Sequence, residues 1–115
     1  MGPKMRLVII ESPYAGDVEA NIAYARRCVK DSLDRGEAPI ASHLLYTQPG
    51  ILDDSKPEER RRGIDAGLAW GKVAAGRVFY TDRGWSTGML AALDYAKGHG
   101  ETVVARRLDN YEHPC

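Results

Sequence analysis

With 115 residues the chain has room for one domain and little else, since a second core of ordinary size needs roughly another 100. Hydrophobic residues at 43% and charged residues at 28% are those of a globular protein, which argues against disorder and against a membrane protein. Sixteen basic and sixteen acidic residues cancel, and no basic block exceeds Arg60-Arg61-Arg62, so a nucleic-acid polymer is not the expected partner and a small ligand is.

Apolar runs such as Leu7-Val8-Ile9-Ile10 are too short to span a bilayer, and no long apolar stretch resembling a signal peptide is found near the start, so a cytoplasmic location is expected. Cys28 and Cys115 form neither a disulfide framework nor a metal-ligand spacing and are expected as free thiols. His43, His99 and His113 lack a partner at ligand spacing, so neither a metal nor another cofactor is expected.

In chain order, Arg6 to Ile10 is a short apolar run ending at Glu11-Ser12-Pro13, the pattern of a buried strand leaving its sheet at a turn. Asp17 then stands as N-cap before Val18, Ile22, Ala25, Val29 and Leu33, an amphipathic helix that Gly36 stops. Ala38-Pro39-Ile40-Ala41 is a second strand, placed at an edge because proline cannot donate to a central ladder. Residues 42–54 are expected as a long loop, of a length that is usually functional. Ser55-Lys56-Pro57-Glu58 has the form of a capping box opening a helix through Ile64 and Leu68. The small residues Gly63, Ala66, Gly67, Ala69 and Gly71 allow close backbone approach, and a homodimer or higher homo-oligomer is expected there.

Arg77 to Thr81 is the third strand, and a helix from about Thr87 carries Leu90, Leu93 and Ala96 inward before Gly98-His99-Gly100. Thr102 to Ala105 is the fourth strand. Residues 1–5 and 107–115 are expected as tails, with Arg106 to Cys115 irregular. Strand-helix alternation of this regularity implies parallel pairing through right-handed crossovers. The expectation is an α/β, Rossmann-like (flavodoxin-like) three-layer sandwich, a single domain with a four-stranded parallel sheet of order 2-1-3-4. Its ligand crevice falls where the order reverses, between strands one and three, lined by residues 11–16 and 82–89.

Ser86-Thr87-Gly88-Met89 enters a helix, where free amides and the helix dipole suit a 5′-phosphate, or where Ser86 simply caps the helix. Glu11 directly follows a buried strand at the switch point and has no obvious packing purpose, although a carboxylate closing a turn is the plainer alternative. Asp82 holds the equivalent place after strand three and is expected to face Glu11 across the cleft. Tyr14 offers a stacking face or a hydroxyl. His43, Tyr46 and Gln48 offer hydrogen bonds to a base edge. Asp65 reaches the sugar if its helix turns toward the cleft. Trp85 can cover a ligand, whereas Trp70 is expected in the core.

The segments Glu11 to Asp17, Ser42 to Gly50, Leu52-Asp53-Asp54, Pro57 to Arg60 and Ser86 to Met89, taken in order, resemble a small family found in phages and actinobacteria. That family is itself similar to the nucleoside 2-deoxyribosyltransferase superfamily. The resemblance spans about residues 6 to 105. It implies a Rossmann-like oligomer that cleaves the N-glycosidic bond of deoxynucleosides or their 5′-monophosphates, acting as an N-glycosidase or a deoxyribosyltransferase. On that resemblance Ser86 matches a phosphate-binding serine and Tyr14 an aromatic beside the nucleophile. The nucleophilic glutamate falls at Ala92, which can neither attack carbon nor hold a proton. Three readings follow: Glu11 takes over, the protein is a catalytically inactive nucleotide-binding module, or an original glutamate was replaced. The site then comprises Glu11, Asp82, Tyr14 and Asp65 as catalytic candidates. Ser12, Pro13, Gly16, His43, Tyr46, Trp85, Ser86, Thr87, Gly88, Met89 and Ala92 are the substrate-binding candidates. An interaction domain without a ligand is the bland alternative.

Overall fold

A computed structural model describes residues 4–109 and 111–115. The elements run β1 (Leu7–Glu11), α1 (Val18–Asp34), β2 (Ala38–Ile40), α2 (Ser42–Leu45), α3 (Pro57–Ala69), a 3₁₀ turn (Trp70–Lys72), β3 (Gly76–Tyr80), α4 (Thr87–Gly98), β4 (Val103–Arg106) and β5 (Glu112–Pro114). They build one five-stranded sheet of order β2-β1-β3-β4-β5. The pairs β1 with β2, β1 with β3 and β3 with β4 are parallel, and β4 with β5 is antiparallel. No helix among the described residues is long and apolar enough to cross a membrane.

The order reverses between β1 and β3, as expected. The fifth strand corrects the expected four-stranded sheet and the expected irregular tail. Glu112-His113-Pro114 has no strand pattern of its own; Arg106 Nε donates to Glu112 Oε1 at 2.6 Å and draws the segment onto β4.

Alternation along the strands gives the sheet two differently built faces. Val8, Ile10, Val78 and Tyr80 pack with Tyr24 and Cys28 of α1, while Phe79 packs with Met89 and Ala92 of α4 on the opposite face. Full burial of each large apolar side chain contributes about 1.5–3 kcal/mol. A buried arginine lies on each face. Arg106, 3% exposed, donates to both carboxylate oxygens of Glu37 at 2.8 and 3.0 Å on the α1 side. Arg77 is fully buried on the side of α3 and α4.

Local signals hold at some positions and fail at others. Asp17 caps α1 by accepting from the Ala20 amide, and Gly36 takes the left-handed conformation just past the helix, φ 85°. The capping box before α3 does not form. Ser55 instead donates through both its amide and its hydroxyl to Asp53, and Lys56 occupies the cap position with no side-chain bond. The long loop contains the helical turn α2, too short for any periodicity to announce it. Trp70 is 42% exposed rather than core, its indole N–H donating to Tyr46 Oη at 2.9 Å.

The glycines of α3, read as a subunit interface, are used within the chain. A Cβ on Gly67 would overlap the Ser42 hydroxyl, and one on Gly63 would press on Leu52 at 3.3 Å. A Cβ on Gly71 would overlap the Glu101 carboxylate. Spaced four apart, these residues lie along one side of the helical segment and let it settle onto α2 and the buried Arg77.

Candidate functional site

A cleft of about 780 Å³ opens at the carboxyl ends of β1 and β3, bounded by α2, α3 and the start of α4. Its floor is set by the registered pairs Ile9 with Arg77 and Glu11 with Phe79. Side chains two apart on a strand share a face, so Glu11 and Arg77 project on the same side of the sheet. Arg77 Nη1 donates to Glu11 Oε2 at 2.6 Å, and Arg77 Nε donates to Glu101 Oε1 at 2.7 Å. Glu11 is the end of this trio that reaches the cleft, with 15% of its side chain exposed. Burial pushes its carboxyl above the ordinary value; the Arg77 charge pulls it back and the Glu101 charge adds to the rise.

Beside Glu11, Ser12 Oγ and His43 Nε2 share a hydrogen bond of 2.7 Å, and both residues line the cleft. Ser12 is 6% exposed. Burial holds the His43 imidazole down at about 4, so it is neutral at physiological pH. Its Nδ1 is buried without a hydrogen-bond partner among the described residues. Because the folded value lies below the free value of 6.5, the stability of neutral His43 is complete above 6.5 and lost as pH falls toward about 4. His43→Gln is therefore expected to gain on the parent across that window in urea midpoints taken at each pH. A difference that does not vary with pH would refute the buried neutral imidazole.

The opposite wall is the start of α4. Ser86 accepts from the Met89 amide at 3.1 Å, so it does cap the helix, and it also lines the cleft with Thr87, Gly88 and Met89. Trp85 lines the same wall, its ring 5.2 Å from Phe79. Tyr14, Gly16 and Tyr46 complete the rim. The loop after β1 is fixed by Asn21, whose amide donates to the Tyr14 and Ala15 carbonyls at 3.1 Å and accepts from Arg83. Gly16, at φ 98°, makes the turn into α1.

The cleft thus gathers Glu11, Ser12, Tyr14, Gly16, His43, Tyr46, Trp85, Ser86, Thr87, Gly88, Met89 and Ala92. Four expected residues fall outside its lining, among them Gln48, whose side-chain amide donates to the Leu44 carbonyl at 3.0 Å. Pro13 is buried in the turn behind it. Asp82 does not face Glu11: it accepts from Tyr24 Oη at 2.5 Å and from the Leu108 amide at 3.2 Å, so it ties α1 to the chain after β4. Asp65 pairs with Arg61 one helical turn away at 3.0 Å, with 57% of its side chain exposed, and does not line the cleft. Asp54 and Glu59 stand among the lining residues, held by Arg60 at 2.9 Å and Lys56 at 3.6 Å. Sequence reasoning missed Arg77, Glu101 and Asn21. An arginine opening an apolar strand looks like its solvent end; the clue lay in Glu11, a carboxylate with no partner in its own segment.

The fold is similar to that of a 2-deoxyribosyltransferase from the psychrotolerant bacterium Bacillus psychrosaccharolyticus. The TM-score is 0.66 at 15% identity, over 88% of this chain and 72% of that one. Comparison with curated proteins returned no match. The family model that matches covers residues 6–106, which include every residue lining the cleft, and the chain belongs to the family of the domain of unknown function DUF7768.

Proposed function

We propose that the cleft binds a nucleoside or nucleoside 5′-monophosphate and that the protein cleaves its N-glycosidic bond, as an N-glycosidase or a deoxyribosyltransferase. The observation that carries this reading is Glu11, a carboxyl on the cleft floor, backed by a buried arginine and raised above its ordinary value by burial. A proton-transfer group poised toward neutrality is what departure of a poor leaving base requires. The volume suits a ligand of nucleoside size, and Tyr14, Tyr46 and Trp85 offer rings for stacking. The Thr87 and Gly88 amides, at the positive end of α4, suit a 5′-phosphate. The likeness to a 2-deoxyribosyltransferase agrees with this substrate class.

In the hydrolytic form, Glu11 gives its proton to the ring nitrogen of the base as the C1′–N bond breaks and its electron pair moves to nitrogen. Water then adds to C1′ and returns a proton to Glu11. The neutral Ser12–His43 pair hydrogen-bonds the ligand without adding charge. A second reading, a nucleotide-binding module without turnover, is favoured by Ala92, which puts a methyl group on the wall where the resembled superfamily carries its nucleophile. Incubation with a panel of deoxynucleosides and their monophosphates, assayed for free base by chromatography, separates the two. Release of base supports the enzyme; thermal protection without release supports the module. Absence of both release and protection would remove the nucleotide site altogether.

A further inference from the structure

One guanidinium, itself shut off from solvent, faces two largely buried carboxyl groups. Arg77 is fully buried, and the side chains of Glu11 and Glu101 are 15% and 9% exposed. With both acids ionised the trio carries one uncompensated negative charge, which a low-dielectric interior resists unless a proton is taken up. The donors are divided unequally. Glu101 receives Nε at 2.7 Å and Nη2 at 3.4 Å, whereas Glu11 receives Nη1 alone, at 2.6 Å. Nη2 also donates to the Leu68 carbonyl at 3.3 Å, so the guanidinium is held by α3 as well. Gly71 has no side chain where one would overlap the Glu101 carboxylate and come within 2.9 Å of Arg77 Nη2. The fold thus keeps open the space through which Glu101 reaches Arg77.

We propose that Glu101, which lies outside the cleft, is a positioning residue: by occupying one edge of Arg77 it leaves Glu11 short of donors, so that Glu11 carries the exchangeable proton of the trio. The further step, transfer of that proton to a leaving base, rests on the function proposed above. The other elements around Glu11 contribute no competing charge close by. From α4 come Met89 and Ala92, from α2 the neutral His43 bonded to Ser12, and from α3 Gly67 and Leu68. Arg60 and Arg61, also on the cleft lining, are paired with Asp54 and Asp65.

The test is a carboxyl ¹³C titration of Glu11 in the intact protein, its resonance assigned by loss in Glu11→Gln. In the parent, Glu11 is expected to titrate above the ordinary glutamate midpoint of about 4.3. Glu101→Gln removes the second charge and frees the Arg77 edge, and the Glu11 midpoint is expected to fall by about one pH unit, a roughly tenfold loss of proton affinity. Glu101→Asp keeps the charge and should hold most of the parent midpoint. Gly71→Ala displaces the Glu101 carboxylate without altering any ionisable group and should lower the midpoint too. If base release is found, its rate should decline with rising pH along a limb that moves down with the Glu11 midpoint in Glu101→Gln. An unchanged or raised midpoint in folded Glu101→Gln or Gly71→Ala overturns the proposal, as does a parent Glu11 titrating at or below the ordinary value. Absence of base release from every nucleoside would count against the enzyme and leave the titration result standing.

Discussion

Arg77→Met is expected to lower the unfolding free energy by about 3–5 kcal/mol at neutral pH, read from urea denaturation. Methionine fills much of the volume, so the loss comes from stranding the Glu11 and Glu101 carboxylates in the interior without their shared cation. In the variant both carboxyls keep their burial and lose their cation, so ionising either one costs folding energy. The penalty is then largely absent at about pH 3, more than one unit below the ordinary glutamate value, and grows as pH rises. Denaturation curves of variant and parent should converge toward about pH 3 and separate toward pH 7. Adding Glu11→Gln and Glu101→Gln to the variant should recover much of the loss. Equal destabilisation at both pH values would mean that packing, not charge, is what Arg77 supplies.

Glu11→Gln is expected to cut the rate of base release by about 10²–10⁴-fold, the range for removing a positioned acid or base. Glutamine keeps an oxygen for Arg77 and nearly the same shape, so binding should persist as thermal protection by the nucleoside. Stability should not fall. The parent carboxyl lies above its ordinary value in the fold, which means that ionising it costs stability as pH rises, and glutamine avoids that cost. A rate unchanged in Glu11→Gln would take the residue out of the chemistry. Protection lost together with activity would instead make it a binding contact.

Much of the fold could be read in advance because the sheet core announces itself. Continuous apolar runs at Val8-Ile9-Ile10 and Val78-Phe79-Tyr80, separated by caps and helical periodicity, admit few topologies besides a parallel sheet reversing between β1 and β3. The parts that escaped are those where side chains override local preference. β5 exists through an ion pair and main-chain pairing, α2 is a single turn, and Ser55 bonds back to Asp53 instead of capping α3. The cleft was legible where a residue's backbone position decides its role, as for Glu11 at a strand tip and Ser86 at a helix start. It was not legible where direction decides. Asp82 matches Glu11 in its place along a strand, yet Tyr24 and the Leu108 amide claim it; Asp65 is on the right helix, but Arg61 one turn back holds it in solvent. No spacing rule links Glu11, Arg77 and Glu101, which meet only after three strands have been laid side by side.

The two outer strands bear on how copies of this molecule can meet. β2 is three residues long with Pro39 at its centre, and β5 is three residues long, ends in Pro114 and carries Glu112. Proline withholds an amide from any newcomer and a carboxylate there must be desolvated, so neither border is a good template for backbone zippering. Polymerisation by continuous strand addition is thereby discouraged, and any specific self-association has to be written into the helical layers and the loops above them.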